Sequence, residues 1–567
     1  MPRRNGKRLW FFLIISAFLV LSIWNNRNTD LDNRISNGLR KKGPRPAGVA
    51  RGQTYFHTYP DNNRYMAGDT WRPPDSFGQI PVKLGSSSKK RSTKPTLHRM
   101  SRGEHLQQAL AEDHIEIGER VFLLIKTGAS VLWDRLPMHF LTTVTRFPNF
   151  ALYSDAADSI GGYEVVDILA NVSQSLLLYS EQFQPYRDAR RLRSSHLYVT
   201  TKESGIKGGW ILDKFKNIRI LEHAYKQSSD MDWYVLIDDD TIVLADNLSR
   251  FLKSLDPNAL YYLGSAVAGL DYIFAHGGSG IVLSRGLMKR AFGAPQSDEW
   301  VAKYTERTER ECCGDYMVAV YLKETVGVSL NFEVSAGRFQ GEQIWAIPTS
   351  ANNWCQEVIT MHHQAASDLE MIWEYERLKG PEKPILYSDI YNDFQKPYLP
   401  GSARLNWDNG ARETEFSWIK DLDGGIINPD HPLDNSKPYY SLSNCRKECE
   451  DRADCLMFRY DPYGLYCGIS KSSIALGRPI LKYDEESLDK RLESLNLPFG
   501  RKDDQKMVSG WYLDRVVAMR KTLECDVLYH DSQADGQVDG IRDQMEGWWL
   551  RAKTRYPDAI PDPLKVV

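Results

Sequence analysis

An apolar run that ends in three carboxylates constrains the fold of this chain more than any other feature. Residues 233–240 read Trp-Tyr-Val-Leu-Ile-Asp-Asp-Asp. The run predicts a buried β-strand that carries acidic groups to its carboxyl end, which is where open α/β sheets bind ligands. Carboxylate oxygens there suit a hard divalent cation that also holds phosphate oxygens. The alternative is an acidic helix N-terminus, because a helix is predicted at 245–255 and carboxylates favour that position.

Strands and helices alternate around this run. Further β-type segments lie at 121–125, 150–153 and 260–264, and helical spacing at 132–146 and 210–225. The alternation predicts a mostly parallel, doubly wound α/β sheet.

The N-terminus has the pattern of a membrane anchor. Basic residues occupy positions 3, 4, 7 and 8, and residues 9–24 form an apolar stretch with only two serines. No small-residue cleavage site follows, which favours an uncleaved anchor over a removed signal. Since basic residues stay cytoplasmic, we expect a cytoplasmic tail at 1–8, one span at 9–24, and a type II protein whose remaining chain is luminal.

Residues 25–115 are rich in Arg, Lys, Gly, Pro, Ser and Asn and show no apolar periodicity. This composition predicts a flexible stem, and a patch for a polyanion is the alternative interpretation of its positive charge. The formal charge of the whole chain is −2, so nothing indicates a nucleic-acid partner. The rest of the 567-residue chain is long enough for one large and one smaller domain.

The eight cysteines lie at 312, 313, 355, 445, 449, 455, 467 and 525. In a secretory lumen an even number indicates disulfides. A zinc site at Cys445 and Cys449 is disfavoured, because no second half with zinc spacing follows. Glycosylation sequons at Asn171 and Asn247 fit the same compartment, although a glycan on Asn247 would obstruct the cleft beside the acidic triplet.

Three further motifs follow the triplet. Gly277, Gly278 and, after Ser279, Gly280 permit close approach of the backbone to a ligand, and an ordinary glycine turn is the alternative. Residues 312–315, Cys-Cys-Gly-Asp, open a helical segment that runs to residue 322. Residues 360–363, Thr-Met-His-His, follow the apolar pair 358–359.

The order of these motifs resembles glycosyltransferase family 31, the fringe and core-1 β1,3-galactosyltransferase relatives, and the fungal-type membrane members most of all. The likeness runs from about residue 121 to 377, and residues 126–128 (Lys-Thr-Gly) resemble the family closely. It implies a Rossmann-like GT-A domain, a UDP-sugar donor, an Mn²⁺-type divalent cation, and transfer with inversion to a hydroxyl of a glycan or glycoprotein, with a β1,3 linkage. A Golgi membrane, or the ER, is the implied location.

The resemblance also assigns roles. Asp240 and His362 resemble the metal ligands, with His363 as the alternative to His362, and Asp315 resembles the catalytic base. The residues assigned to the donor are Lys126, Thr127, Asp238, Asp239, Gly277 and Gly278. The chemistry needs such groups, because a cation stabilises a departing diphosphate and a carboxylate takes the proton of the attacking hydroxyl. Asp315 also has the position of a helix N-cap, and both roles are compatible.

Residues 401–530 resemble a PAN/apple-like domain, a small disulfide-rich α+β unit in which a helix is cross-linked to a sheet. The resemblance implies the pairs Cys449–Cys455 and Cys445–Cys467, and leaves Cys525 to close the module or to reach the transferase domain at 116–400. The module either recruits the acceptor or caps the transferase domain. Residues 531–567, with Trp548 and Trp549, are expected to form a helical tail.

These observations predict a type II membrane hexosyltransferase. The alternative is a catalytically inactive, membrane-tethered protein that binds carbohydrate or protein through the apple-like module. A third possibility is a nucleotide-sugar hydrolase or a transferase with another donor. The complete set of Asp240, Asp315 and His362 favours the enzyme.

Overall fold

The computed structural model describes residues 118–194, 208–268, 270–400, 403–417, 434–462, 464–480, 507–520 and 525. The predicted anchor (9–24), stem (25–115) and C-terminal tail (531–567) lie outside these ranges. Within them, the structure contains no helix with the length and apolar character needed to cross a membrane.

The described residues up to position 400 include thirteen strands. They are β1 (Val121–Lys126), β2 (Phe150–Ser154), β3 (Asp158–Ile160), β4 (Tyr163–Asp167), β5 (Trp233–Asp238), β6 (Ile242–Val243), β7 (Tyr262–Gly264), β8 (Ala266–Val267), β9 (Phe274–Ala275), β10 (Ile281–Ser284), β11 (Phe339–Gln340), β12 (Thr349–Ser350) and β13 (Thr360–Met361).

Eleven α-helices surround these strands in the described residues. They are α1 (Leu132–Leu141), α2 (Gln174–Tyr179), α3 (Gln184–Ser194), α4 (Asn217–Gln227), α5 (Ala245–Lys253), α6 (Arg285–Phe292), α7 (Ser297–Arg307), α8 (Gly314–Val326), α9 (Phe332–Ser335), α10 (Ala366–Lys379) and α11 (Tyr387–Asp389). The predicted helix at 210–225 is divided: a 3₁₀ helix (Gly209–Phe215) precedes α4.

Seven strands form the central sheet in the order β3-β4-β2-β1-β5-β10-β7. The pairs β4–β2, β2–β1 and β1–β5 are parallel, whereas β3–β4, β5–β10 and β10–β7 are antiparallel. The expectation of a mostly parallel sheet was therefore wrong for the two edges, and the sheet is mixed. At the β7 side the chain returns through the short β8–β9 hairpin, and an antiparallel return needs no crossover helix.

The core explains why the run before the triplet is apolar throughout. Tyr234 and Leu236 of β5 face one apolar cluster, while Val235 and Ile237 face a second cluster on the opposite side of the sheet. Successive side chains of a strand point to opposite faces, so a strand covered on both faces has no polar positions. The apolar run therefore ends where the sheet meets solvent, at the triplet.

The C-terminal module has a five-stranded antiparallel sheet. Its strands and helices are β14 (Arg404–Leu405), β15 (Trp407–Asp408), β16 (Thr414–Ser417), α12 (Leu442–Glu450), β17 (Met457–Asp461), β18 (Tyr466–Ser470), β19 (Ser473–Ile474), β20 (Arg478–Pro479), β21 (Val508–Trp511) and α13 (Leu513–Arg520). The sheet order is β14-β21-β17-β18-β16, and β15 pairs with β20 outside it.

All eight cysteines form disulfides, so the expectation from their even number is confirmed. Cys445 of α12 joins Cys467 of β18, and Cys449 of α12 joins Cys455, which confirms both implied pairs. Cys525 reaches the α/β part of the chain, residues 118–400, at Cys355, which confirms one of the two expected alternatives. The remaining bond joins the neighbours Cys312 and Cys313.

The module and the α/β part share a strand pair and an apolar cluster as well as this cross-link. Strand β12 pairs with β19 in an antiparallel ladder, Thr349 opposite Ile474. Trp354 and Tyr391 from one side pack in a single apolar cluster with Trp407 and Trp511 from the other. The two parts are therefore joined by a strand pair, a core and a covalent bond.

Candidate functional site

The parallel register of β1 and β5 brings the first sequence-predicted residues together. Lys126 is the last residue of β1 and lies opposite Asp238, the last residue of β5. The Lys126 Nζ atom is 3.1 Å from Asp238 Oδ1 and also contacts Asp213. The carboxyl ends of both strands thus form one charged edge, as expected for the ligand edge of an α/β sheet.

A chain of alternating charges extends along this edge. Lys216, which is buried at the start of α4, donates to Thr127 O at 2.8 Å and to Asp155 Oδ1 at 2.9 Å. Asp213 lies between the two lysines, with one oxygen on Lys126 and the other 3.7 Å from Lys216. Burial opposes the charge on both lysines, but the carboxylates outweigh it and raise the pKa of each. The edge is therefore fixed by ion pairs before any ligand arrives.

The Asp239 side chain points away from this row of charges and into the protein interior. Its carboxylate accepts hydrogen bonds from Thr127 Oγ1 and from Arg135 Nη1, the latter at 2.8 Å, and its backbone oxygen is 2.9 Å from His139 Nε2. Burial raises the pKa of Asp239 to about 6, although Arg135 and Thr127 favour the charged form. Protein groups therefore bind both carboxylate oxygens and the backbone oxygen of Asp239.

Asp240 is the acidic member of a group that could hold a metal ion. One carboxylate oxygen and one ring nitrogen each of His362 and His363 all lie within 4.8 Å of one another. The His362 Nε2 atom is 2.9 Å from Asp240 Oδ1, and the His363 Nδ1 atom is 3.8 Å from Asp240 Oδ2. The structure thus brings both histidines of the pair to the carboxylate, and the nearer one is His362.

The electrostatics of this group favour a cation. Burial raises the pKa of Asp240, but His362, His363 and Arg135 outweigh it and hold that pKa well below its ordinary value. Burial lowers the pKa of His362, but Asp240 and Asp238 outweigh it and raise that pKa. His362 Nδ1 is buried without a hydrogen-bond partner. A mixed set of imidazole nitrogen and carboxylate oxygen suits a first-row divalent cation, so the residues present fit such an ion.

Residues 277–280, which we call the glycine loop, pack against side chains of the site. A Cβ atom on Gly278 would stand 2.2 Å from Cε1 of His362, and one on Gly277 would stand 3.3 Å from the Cβ of Asp315. Gly280 has a φ of +91°, which suits a turn before β10. The close approach that the glycines permit is therefore an approach to His362 and Asp315.

Asp315 reaches the same loop from the first turn of α8. Its Oδ2 accepts the N–H of Gly277 at 2.8 Å, and its Oδ1 accepts the N–H of Tyr316 at 2.9 Å. The helix begins at Gly314 and its N-cap is Cys313, so Asp315 is inside the first turn and is not the N-cap. Two threonine side chains also bind the glycine loop. Thr241 Oγ1 donates to Gly278 O at 2.7 Å, and Thr360 Oγ1 donates to Ser279 O at 2.5 Å.

Sequence reasoning missed several residues of this site. Arg135 and His139 both contact the triplet, and their spacing of four residues on a helix that follows β1 is a signal, because such residues share a face. Lys216 and Asp155 had no such signal, because they come from separate elements. Gln364, whose backbone N–H donates to Asp240 O at 2.9 Å, follows the histidine pair directly.

One sequon is incompatible with a glycan. Asn247 is only 1% exposed, and its side-chain nitrogen donates to Val358 O at 2.6 Å and to Ile385 O at 2.8 Å. Its side-chain oxygen accepts the N–H of Ile385 at 3.1 Å. A glycan on Asn247 would have to displace these hydrogen bonds, because that amide is part of the core. Asn171 is exposed.

The charged edge of the mixed α/β sheet and the candidate metal group lie at the carboxyl ends of β1 and β5. A sequence model of the Fringe-like family matches residues 200–335. The Fringe-like proteins are glycosyltransferases of family 31, and the match supports a transferase of that type. It includes the triplet, the glycine loop and Asp315, and it leaves out Lys126, His362 and the C-terminal module.

Proposed function

We propose that this protein is a metal-dependent, inverting glycosyltransferase that moves a sugar from a UDP-sugar to a hydroxyl of a glycan or glycoprotein, with a β1,3 linkage. The observation that carries the proposal is the meeting of Asp240, His362 and His363 at the sheet edge, beside a loop bonded to Asp315. The Fringe-like match supports the same class.

Asp240 and His362, with His363 beside them, would hold a divalent cation such as Mn²⁺. That cation supplies Lewis-acid stabilisation to a diphosphate, whose negative charge grows as the bond to the sugar breaks. Arg135 adds a guanidinium at the same edge, since its Nη1 is 2.8 Å from Asp239 Oδ1 and 3.2 Å from Asp240 Oδ2. Guanidinium groups suit phosphate oxygens, so Arg135 is well located to share the diphosphate charge.

Asp315 is the proposed base. The acceptor oxygen forms its new bond to the anomeric carbon, the bond from that carbon to the diphosphate breaks, and the hydroxyl proton passes to the Asp315 carboxylate. Asp315 accepts hydrogen bonds from two backbone N–H groups, which fix its orientation. Each carboxylate oxygen retains a lone pair for the acceptor hydroxyl.

The proposal includes a cellular setting. The N-terminal basic and apolar pattern supports a single-pass type II protein of the Golgi membrane, or of the ER, with the catalytic domain in the lumen. The disulfides support an oxidising compartment. The helix–sheet module with its two internal disulfides supports the PAN/apple-like assignment.

Calorimetric titration of the purified full-length protein with UDP and a series of UDP-sugars, with and without Mn²⁺, tests the proposal. We expect UDP to bind only with Mn²⁺, and the preferred sugar to identify the donor. Asp240→Asn should remove the UDP binding that depends on Mn²⁺. The matched control is Asp408→Asn, which removes another carboxylate paired with an arginine, 2.8 Å from Arg459, far along the chain in the module. Absence of UDP binding under both conditions would overturn the proposal in favour of an inactive binding protein.

A further inference from the structure

The loop between β11 and β12, residues 341–348, lies between the candidate metal group and the C-terminal module, and we call it the bridging loop. On the metal side, Gln343 Nε2 donates to His363 O at 2.9 Å. Gly341 lies against the glycine loop, since a Cβ there would stand 3.2 Å from Ser279 Oγ. The bridging loop therefore contacts both the histidine pair and the glycine loop.

Gln364 ties the bridging loop to two of the proposed ligands. This side chain is 4% exposed. Its Nε2 donates to His362 O at 2.5 Å and to Glu342 O at 3.3 Å, and its backbone N–H donates to Asp240 O at 2.9 Å. A displacement of the loop would thus be transmitted to the backbone of His362 and Asp240.

His363 needs this support more than its neighbours do. Its φ is +60°, in the left-handed region that costs free energy for any residue with a Cβ. Such a conformation persists only where surrounding contacts hold it. The hydrogen bond from Gln343 to the His363 carbonyl is one of those contacts.

The other side of the bridging loop is held by Gln395, a buried residue that precedes the module, and by two backbone N–H groups of the module, one of which bonds Gln395 itself. Gln395 Nε2 donates to Ile344 O at 3.0 Å and to Ile347 O at 2.9 Å, and Gln395 Oε1 accepts the N–H of Leu476 at 3.2 Å. Gly477 N–H donates to Trp345 O at 2.8 Å. Glu342 also lies 3.7 Å from Arg412, but ion pairs with exposed partners contribute little. The hydrogen bonds to the carbonyls of Ile344, Trp345 and Ile347 are therefore the main contacts that hold this side of the bridging loop.

We propose that the C-terminal module is a positioning element of the metal site. By holding the bridging loop it fixes the backbone of His362, His363 and Gln364, so that the imidazoles face Asp240. The inference rests on the proposed metal-dependent function. It gives the module a role inside the reaction, as distinct from recruiting an acceptor.

The test compares two buried amides in the full-length protein. Gln395→Leu removes the bonds to Ile344, Ile347 and Leu476. The control Asn409→Leu removes a matching set inside the module, because Asn409 Nδ2 donates to Phe458 O and Gly510 O and its Oδ1 accepts the N–H of Ala411. Free Mn²⁺ is measured by electron paramagnetic resonance during titration. Thermal unfolding of both variants reports their stability.

We expect Gln395→Leu to weaken Mn²⁺ binding by about 10-fold to 100-fold, the range typical for outer-shell partners of metal ligands. Asn409→Leu should lose similar stability and keep the wild-type affinity. Gln343→Ala changes a partly exposed side chain and so avoids a folding defect, and it should weaken binding in the same direction.

The outcomes separate the two proposals. Wild-type protein that binds no Mn²⁺ overturns the proposed function and this inference together. Wild-type protein that binds Mn²⁺ with an affinity unchanged by Gln395→Leu and Gln343→Ala overturns the inference alone. Equal weakening by Asn409→Leu and Gln395→Leu also overturns it, because general destabilisation would then explain the loss.

Discussion

The central sheet and the C-terminal module are stabilised in different ways. The central sheet packs apolar side chains on both faces and has a row of ionised groups at one edge, with Lys126 and Lys216 buried between carboxylates. The module is small, and two disulfides join its helix α12 to β18 and to Cys455, which lies just before β17. Small domains bury too little apolar surface to be stable without such cross-links. In the central sheet the placement of charges forms the site, whereas in the module covalent bonds stabilise the fold.

The largest expected effect separates catalysis from structure within the first region. Asp315→Asn should reduce turnover by about 10²-fold to 10⁴-fold, the usual contribution of a general base. Metal-dependent UDP binding should remain, because Asp315 contacts only backbone N–H groups among the described residues. Steady-state kinetics and UDP calorimetry check this. The matched control is Asp389→Asn, another first-turn carboxylate, which accepts the N–H of Leu386 at 2.7 Å. Equal loss of UDP binding in Asp315→Asn would show that the residue is structural.

The module should respond to its cross-links according to loop length. Replacing Cys445 and Cys467 by alanine opens a separation of 22 residues, and replacing Cys449 and Cys455 opens one of 6. The chain-entropy relation predicts losses of about 3 and about 2 kcal/mol in the free energy of unfolding. Urea unfolding of each double variant measures them. A larger loss for the shorter loop would contradict the entropic explanation.

The two sequons give a smaller contrast within the transferase part. Asn247→Ala leaves the carbonyl of Val358 without its donor and the N–H of Ile385 without its acceptor, and should cost about 2 kcal/mol. Asn171→Ala, at an exposed position, should change stability by less than about 0.5 kcal/mol. Thermal unfolding compares them. Similar effects of the two substitutions would show that the Asn247 amide contributes nothing beyond a surface residue.

The smallest expected effect is a pH dependence of the transferase part. Glu376 is buried, and burial, against the opposing charge of Arg146, raises its pKa from 4.5 to about 7. The folded state therefore binds a proton that the unfolded state has released. The stabilisation is complete below pH 4.5 and is lost as the pH rises through 7. Between pH 6 and pH 8 the linkage relation gives a loss of about 1 kcal/mol.

Urea unfolding at both pH values measures this slope. Glu376→Gln should reduce it, since a neutral amide does not titrate. The control is Glu374→Gln on the same helix, where a partly exposed carboxylate pairs with Arg377 at the surface and the slope should not change. An unchanged slope in Glu376→Gln would assign the pH dependence to another group.

The sequence predicted the strand that carries the triplet because local patterning determines it. A run without polar positions can be covered on both faces, and the carboxylates mark its end. The disulfide pairs of α12 were predicted from a resemblance and are confirmed. The antiparallel strand β10 was not anticipated, because its direction depends on a short hairpin return and not on its own residues.

The parts of the site that the sequence could not reveal come from distant segments. Arg135 meets Asp239 across 104 positions, and Gln395 meets Ile344 across 51. Gln395 has no local pattern that marks it as functional, and the only such pattern for Arg135 is its helical spacing from His139, since Arg and Gln are ordinary on a protein surface. The close packing of Gly278 on His362 likewise depends on tertiary structure, because 84 positions (362 − 278) separate them. The roles proposed for the site residues remain predictions.

The pairing of β12 with β19 has a consequence for the order of biosynthesis. Thr349 and its partner Ile474 are 125 positions apart (474 − 349), so a ribosome adding about 5 to 20 residues per second makes the second roughly 6 to 25 s after the first. Throughout that interval the edge of β12 has no strand to pair with, and the neighbouring residues lack their final support. The nascent chain therefore completes its chemistry-bearing region late, and an unpaired strand edge of this kind is prone to pair with other chains.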